Sequence, residues 1–212
     1  KTTAFNMLTG VYKPTLGQVL LLGTDVTGQR PYKITHQGMA RTFQNIRLFK
    51  DLSVQDNLMV ALDQSPAYKK AGLFSSLFRP KSYRTLEASK LAQADKLMEI
   101  LGLVSRKLDL ARNLPYGDQR RLEIARAMAT GAKILLLDEP AAGMNAQETS
   151  ALMATIRRIR DEFGLTILLI EHDMKLVMGV CERIAVLDYG IKIAEGTPQE
   201  IQKNPKVIEA YL

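Results

Sequence analysis

The chain contains 212 residues with 46% hydrophobic side chains, and its 29 Lys and Arg residues against 22 Asp and Glu give a formal net charge of +7. This length suffices for one large domain, or a domain with a subdomain, around a buried core. No apolar run approaches the roughly 20 residues of a membrane-spanning helix, and the single Cys181 excludes an internal disulfide, so a reduced, cytosolic setting is the default.

The first part of the chain predicts short elements. Apolar residues at helical spacing, from Ala4 to Leu8, end at Gly10. GQVLLLG at 17–23 lies between glycines and predicts an antiparallel strand, and GMARTFQ at 38–44 predicts another short strand.

The middle of the chain predicts helices. Residues 64–84 have the Pro, Gly and Ser content of a loop around the apolar LFSSLF at 73–78, and a helical pattern follows over Leu86–Leu101, where Gly102 ends it. We therefore predict a mostly helical subdomain at about 50–130, inserted into an α/β core.

Three apolar runs in the second half predict strands: KILLLDEP at 133–140, TILLIEHD at 166–173 and RIAVLDYG at 183–190. Each is apolar throughout, as are strands buried on both faces of a parallel sheet. Between the first two runs, a helical pattern over Leu152–Phe163 ends at Gly164, which predicts a βαβ unit.

Ionisable residues follow each of these strands. Asp138 and Glu139 end the first, Glu-His-Asp at 171–173 ends the second, and Asp188 ends the third. Because the carboxyl ends of strands line the ligand crevice of an open α/β sheet, we expect these groups to converge on one edge.

Asp138 and Glu139 form a Walker B pattern, in which a buried strand delivers two adjacent carboxylates. The pattern predicts that Asp138 holds Mg²⁺ through its water shell and that Glu139 orients or deprotonates the attacking water. The alternative is a strand end that carries two solvated acids.

The opening Lys1-Thr2-Thr3 matches the end of the P-loop pattern G-x-x-x-x-G-K-[ST], which begins a helix. In this interpretation Lys1 reaches the β and γ phosphates of a nucleotide, Thr2 binds Mg²⁺ and Thr3 lies near the α phosphate. For the triplet alone, an arbitrary helix start is the alternative.

The sequence NLPYGDQRRLEIARAMA at 113–129 predicts a turn that leads into a helix with one apolar side. Backbone N–H groups at Gly117 and beyond would lie at the positive end of that helix, where an anion is favoured. An ordinary turn and helix is the alternative.

In chain order, these features resemble the ABC-type ATPase family. RTFQN carries a Q-loop Gln44, LPYGDQ stands where the LSGGQ signature belongs, AAGMN at 141–145 stands for the D-loop, and IEHD supplies an H-loop His172. YGDQRRLEIAR, LDEPAAGMN and LLIEHDMKLVM further resemble the LivG-type ATP-binding subunits of branched-chain amino-acid importers.

The resemblance implies an α/β fold of the P-loop NTPase kind, with a parallel sheet, an antiparallel β element and an inserted helical subdomain. It implies ATP and Mg²⁺ as cofactors, with Glu139 as the base, His172 as the γ-phosphate sensor and Gln44 as a third catalytic residue. The implied metal contacts are Thr2, Gln44 and Asp138. The implied nucleotide contacts are Lys1, Thr2, Thr3, Asp138, Tyr116, Gly117, Asp118 and Asn145.

Three positions depart from the family pattern. Pro115 stands for the signature Ser, which removes a hydroxyl contact to phosphate. Asp118 replaces the signature Gln, and we expect its carboxylate to turn toward the first-turn amides of the helix. Asn145 stands for the D-loop Asp, which keeps the hydrogen-bonding reach and removes the charge.

The resemblance also places the phosphate-binding glycines before Lys1, so residues 1–212 would form a single ABC ATPase domain that lacks its first strands and its glycine cradle. Loss of three charge-assisted bonds of about 1.5–3 kcal/mol each would remove roughly 5–9 kcal/mol of binding free energy. We therefore expect this 212-residue chain to bind ATP weakly or not at all, whereas the complete protein would hydrolyse it.

The family pairs two cassettes head to tail, so the implied partner is a second ATPase subunit, a paralogue, whose nucleotide Tyr116 and Gly117 would serve. Transmembrane permease subunits at the cytoplasmic face of the inner membrane would bind the Q-loop and the helical subdomain, and a solute-binding protein would act indirectly. The apolar candidates for this contact are Phe49, Phe74, Leu77 and Phe78.

Two alternatives stay open: a soluble ABC ATPase that acts on ribosomes or DNA, and a regulatory module that does not hydrolyse ATP. No second cassette or long coiled insertion supports the first, and no basic-aromatic pattern predicts a nucleic-acid partner. The presence of Asp138, Glu139 and His172 disfavours the second.

Overall fold

A computed structural model describes residues 1–68 and 81–211 of the chain. The apolar segment 73–78, which the sequence predicts as part of a loop, lies outside the described residues. The same holds for three of the four apolar candidates for a permease contact, Phe74, Leu77 and Phe78.

The helices and strands follow one another in three groups. The first group is α1 (Thr2–Leu8), β1 (Leu20–Leu21), β2 (Thr24–Asp25), α2 (Pro31–His36) and β3 (Met39–Arg41). The second is α3 (Val54–Leu62), α4 (Lys81–Ile100), 3₁₀ turns at Val104–Arg106 and Ala111–Asn113, and α5 (Tyr116–Ala129). The third is β4 (Ile134–Asp138), α6 (Ala146–Phe163), β5 (Thr166–Ile170), α7 (Met174–Val180), β6 (Ile184–Asp188), β7 (Ile191–Gly196), α8 (Pro198–Gln202) and α9 (Pro205–Tyr211).

A parallel sheet in the order β3-β4-β5 lies at the centre of the fold. Successive side chains of β4 point to opposite faces. Leu135 and Leu137 pack with α3, α4, α5 and α6, whereas Leu136 packs with Phe5 of α1. All three leucines are fully buried, so the sheet carries helices on both faces. This arrangement confirms the predicted α/β class.

The predicted βαβ unit is β4, α6 and β5. The apolar stripe of α6 is buried at Leu152, Ile156 and Ile159. The helix ends at Gly164, whose φ of 59° lies in the left-handed region that a residue without a Cβ adopts most easily. The two strands pair in parallel along their whole length.

The third apolar run forms β6, which does not join the parallel sheet in the described part of the chain. It pairs antiparallel with β7 across a turn in which Tyr189 and Gly190 have φ of 42° and 85°. The prediction of a parallel strand buried on both faces was therefore wrong for this run. An apolar composition says nothing about the direction in which a strand pairs. The direction of β6 relative to β7 follows from the tight turn between them, in which two successive positive φ values reverse the chain.

The antiparallel element near the amino terminus is confirmed, although it is shorter than the run 17–23. β1 and β2 pair through two residues each, joined by Leu22 and Gly23, which both have positive φ. The short strand predicted within 38–44 is β3.

The described part of the segment 50–130 consists of α3, α4, α5 and two 3₁₀ turns joined by short non-helical connections, and the helix predicted at Leu86–Leu101 coincides with most of α4. Leu58 of α3, Leu97 of α4 and Leu122 of α5 belong to the same buried cluster as the core of β4. The helices thus share their core with the sheet, and the division into an inserted subdomain stays a prediction. None of the described helices is both long enough and apolar enough to cross a membrane.

β5 and β6 each have one edge without a strand partner among the described residues. Both strands line the same cavity of about 630 Å³, together with side chains of α1, α6 and α7. Its walls are largely apolar, and Leu168 of β5 is 45% exposed.

Candidate functional site

The carboxyl end of β4 turns sharply at its two acidic residues. Asp138 is buried, with 2% of its surface exposed, whereas Glu139 follows the strand with φ of 46°. Left-handed backbone costs about 1–3 kcal/mol for a residue with a Cβ, and such strain collects at functional sites. The Glu139 amide donates to the Ile170 carbonyl at 2.9 Å, which ties this turn to the end of β5.

Gln44, Glu139 and His172 meet beyond the ends of the three parallel strands. Gln44 Nε2 donates to Glu139 Oε2 at 3.0 Å, and His172 Nδ1 lies 4.0 Å from Glu139 Oε1. The His172 side chain is 70% exposed and therefore accessible to a ligand. The predicted convergence of strand-end residues at one edge of the sheet is confirmed for Glu139 and His172, and Gln44 joins them there. The chemical roles of the three residues stay predictions.

Glu171 supports this cluster from the end of β5. Its Oε1 accepts a hydrogen bond from the Ala141 amide at 2.9 Å, and its Oε2 accepts one from the His172 amide at 3.1 Å. Glu171 is buried, so it fixes the loop after Glu139 against the backbone of His172. The sequence identified Glu171 as a strand-end acid, but only its burial reveals this supporting position.

Arg41 neutralises Asp138, a contact that the sequence analysis missed. Arg41 Nη2 donates to Asp138 Oδ2 at 2.6 Å, and both side chains are almost fully buried. Arg41 Nη1 donates to Asn6 Oδ1 at 2.7 Å and to Thr9 Oγ1 at 3.3 Å. One guanidinium therefore joins α1 to the end of β4. The signal in the sequence was a lone arginine inside a short strand, three residues before Gln44.

The amino end of α1 lies at the same edge of the fold. Lys1, Thr2 and Thr3 are exposed, and Lys1 lines the cavity that Glu171 and His172 also line. The first helix thus begins beside the strand ends, as the P-loop interpretation requires.

The residues at this edge fit a magnesium ion that arrives with a nucleotide. Mg²⁺ prefers oxygen ligands and is usually held by one or two carboxylates together with substrate phosphates. Thr2 offers a hydroxyl, Gln44 an amide and Asp138 a carboxylate. Arg41 binds one of the two oxygens of the Asp138 carboxylate. Within residues 1–68 and 81–211, no three His, Cys, Asp or Glu side chains form a metal centre. The ion would therefore take further ligands from phosphate.

The amino end of α5 carries Tyr116, Gly117 and Asp118. No hydrogen bond or ion pair joins them to Glu139 or His172 in the part of the chain that the structure describes. The expectation for Asp118 was wrong: its carboxylate binds Arg121 Nη2, and no side chain caps the first-turn amides. An arginine one turn along offers a full positive charge, which outweighs the partial charge of the helix end.

Asn145 and Asp173 act as helix caps. Asn145 Oδ1 accepts hydrogen bonds from the Gln147 and Glu148 amides at 2.9 and 3.0 Å, at the start of α6. Asp173 Oδ1 accepts hydrogen bonds from the Lys175 and Leu176 amides in the first turn of α7. The amide oxygen of Asn145 is thus occupied within its own chain. Neither Asp173 nor Asp188, which ends β6, contacts Glu139 within the described contacts.

Phe49 lies on the surface between the Q-loop and the helical segment. Its side chain is 46% exposed, and the Arg126 guanidinium lies 4.6 Å from its ring centroid. Arg126 is itself partly buried, and this burial lowers the pKa of its guanidinium, although Glu123 opposes the shift.

Family models match two parts of the chain. The model of the ABC transporter family matches residues 1–142, and the model of the branched-chain amino acid ATP-binding cassette transporter matches residues 192–212.

Individual proteins give the same result over the full length of the chain. The chain is 50% identical to the high-affinity branched-chain amino acid transport ATP-binding protein LivG of Escherichia coli, covering 100% of the chain and 82% of LivG. It is 45% identical, with the same coverage, to BraF of Pseudomonas aeruginosa, which has the same description. A solved ATP-binding cassette of an ABC transporter superposes with a TM-score of 0.82 at 29% identity, covering 100% of this chain and 83% of that one.

Proposed function

This chain belongs to the ABC transporter family, and from that premise we propose that the protein that contains it binds and hydrolyses ATP to power the import of branched-chain amino acids. The observation that carries the proposal is the cluster of Gln44, Glu139 and His172 beside the start of α1. The descriptions of the relatives support the choice of transported solute.

Glu139 orients the attacking water and accepts its proton, and the Gln44 amide holds the Glu139 carboxylate in position. His172 donates to the γ phosphate from its exposed position next to Glu139. Such an arrangement suffices, because phosphoryl transfer depends on positioning and electrostatic stabilisation more than on covalent help from the protein.

The amino end of α1 provides the remaining contacts to the nucleotide. Lys1 binds the β and γ phosphates, Thr3 lies near the α phosphate, and Thr2 and Asp138 bind the metal with Gln44. When bound, Mg²⁺ neutralises the negative charge that develops on the transferred phosphate. Arg41 supports this group by fixing Asp138 relative to α1.

The amino end of α5 faces a second cassette, a paralogue, in a head-to-tail pair. There Tyr116 and Gly117 bind the nucleotide of the partner cassette, with Asp118 and Asn145 at the border of that contact. The exposed Phe49 and the helical segment beyond Gln44 bind the membrane-spanning permease subunits, which keep the protein at the cytoplasmic face of the membrane. A solute-binding protein acts through the permease, and no nucleic acid takes part.

Replacement of Glu139 by Gln in the cells that make this protein tests the proposal. Glutamine keeps the shape and the bond from Gln44 but cannot accept a proton, so we expect uptake of radiolabelled leucine to fall about 100-fold. The purified variant should still be labelled by a photoreactive ATP analogue.

The control is Arg158→Gln, which removes an exposed ion pair on the surface of α6. Leucine uptake that survives Glu139→Gln, with the variant present at normal levels, would contradict the role of Glu139. Loss of uptake for an unrelated nutrient instead of leucine would contradict the assignment of branched-chain amino acids as the transported solutes.

A further inference from the structure

Arg120 on α5 is buried, with 2% of its surface exposed, yet it carries a full charge that the proposed chemistry does not use. Its Nη1 donates to the Phe43 carbonyl at 2.6 Å and to Glu123 Oε2 at 3.1 Å. Its Nη2 donates to the Gln44 carbonyl, and to the Tyr116 hydroxyl at 2.9 Å. A planar guanidinium with five N–H donors is suited to bridge this many acceptors.

Glu123, one turn further along α5, also binds the segment 43–47 that contains Gln44. Its Oε1 accepts from the Phe43 and Arg47 amides, both at 3.3 Å, and Arg126 donates to the Arg47 carbonyl. The segment 43–47 follows β3, and the last hydrogen bond from the end of β3 into the sheet is donated by the Thr42 amide. Within the described residues, the backbone groups of 43–47 that are hydrogen-bonded are all bonded to side chains of α5.

We propose, on the basis of the proposed function, that Arg120 and Glu123 are positioning residues that hold Gln44 against Glu139. The same guanidinium binds the hydroxyl of Tyr116 at the amino end of α5, which faces the nucleotide of the partner cassette. A shift of that helix end therefore moves Gln44 relative to Glu139. One side chain links the contact with the partner to the water-orienting group of this chain.

The two charges act as a unit because each is buried beside the other. Burial raises the pKa of Glu123, and Arg120 and the amides of Phe43 and Arg47 oppose the shift. Removal of either charge would leave its partner buried without compensation and would disturb the fold as a whole. The test therefore uses variants that keep both charges and change only the geometry of the link.

Arg120→Lys keeps the charge but loses the fork that reaches four acceptors, and Tyr116→Phe removes only the hydroxyl. Hydrogen–deuterium exchange of the full chain, read by mass spectrometry on residues 42–50, measures the attachment without nucleotide. We expect exchange at 43–47 to rise about tenfold in Arg120→Lys and about threefold in Tyr116→Phe, with β4 changed less than about twofold. Arg158→Lys, in an exposed pair that also reaches a backbone carbonyl, should leave 43–47 unchanged.

Unchanged exchange at 43–47 in both variants would overturn the proposal. An equal rise in β4 would also overturn it, because Arg120 would then stabilise the whole fold and not this segment. If Arg120→Lys does not fold, the result for Tyr116→Phe decides alone.

A second measurement compares ATP turnover in Gln44→Ala, Arg120→Lys and the double variant. We expect kcat to fall in each with KM changed much less, and the double variant to be no slower than Gln44→Ala, since both changes remove the same contact. Additive losses would overturn the link. Absence of turnover in the unaltered protein would refute the proposed function, whereas the exchange experiment would still decide the link.

Discussion

Replacement of Arg41 by Met removes the positive charge between α1 and the end of β4 while it keeps an apolar side chain of similar length. The Arg41 guanidinium lies 5.5 Å from the ring centroid of Phe5 and 5.4 Å from that of Phe43, so Met can pack between the same rings. Asp138 then remains buried without its counter-charge. We expect a large loss of stability from this single change.

The size of the loss follows from the burial of the pair. The Arg41 and Asp138 side chains are 6% and 2% exposed, so solvent screens the pair little. Removal of one partner from such a pair costs about 3–5 kcal/mol, and the bonds to Asn6 and Thr9 contribute about 1 kcal/mol each. Together these losses amount to about 5–7 kcal/mol, a large part of the 5–15 kcal/mol typical of a domain.

Urea denaturation followed by far-UV circular dichroism measures this loss, since the chain has no Trp for fluorescence. A double-mutant cycle with Asp138→Asn isolates the pair. Asparagine leaves no buried charge, so the double variant should be more stable than Arg41→Met alone. As a control, Arg158→Met breaks a pair whose side chains are 49% and 42% exposed, and it should cost less than about 1 kcal/mol.

Two results would refute this reasoning. The first is a cost for Arg41→Met that does not exceed that of Arg158→Met, which would mean that the buried charge is compensated elsewhere. The second is a double variant whose loss equals the sum of the two single losses, because the two residues would then be energetically independent.

Three further predictions concern the backbone, a cap and a titrating group. Glu139→Gly should raise the free energy of unfolding by about 1 kcal/mol, because Gly adopts a φ of 46° without strain; a loss of stability in urea denaturation would contradict the strain. Asn145→Ala should lower it by about 1 kcal/mol through loss of the cap on α6, and an unchanged Tm would show that the cap contributes nothing. Burial raises the pKa of Glu123 above its ordinary 4.5, so its contribution to stability is complete below 4.5 and is lost as the pH rises through the folded-state pKa. The stability of the unaltered protein should therefore fall, relative to Glu123→Gln, as the pH rises from 4.5 toward 7, and parallel profiles would contradict the raised pKa.

Local patterns in the sequence were enough to predict the elements that carry the site. β4 and β5 are apolar runs that end in acids, and α6 has both a regular apolar stripe and Gly164 as its end. Because parallel strands end at the same edge of a sheet, the meeting of Glu139 and His172 followed from these elements without knowledge of any contact.

Contacts between distant parts of the chain could not be predicted in the same way. Arg41 and Asp138 are separated by 97 positions, and no spacing rule relates them. The partner of Asp118 was missed for a different reason. Both the first-turn amides of α5 and Arg121 lie within reach of its carboxylate, and only the side-chain geometry decides between these two partners. The direction of β6 depended on its turn and not on its composition.

The edges of β5 and β6 that have no strand partner among the described residues affect how this chain associates with itself. Unpaired backbone groups along a strand are a template for any other extended chain, and natural proteins usually protect them with charge, proline or a covering loop. Here the exposed Leu168 lies between Ile167 and Leu169 on such an edge, and none of the three carries a charge that would repel a neighbour. Concentrated samples should therefore gain β structure and turbidity with time, and dilute handling at low temperature suits this chain.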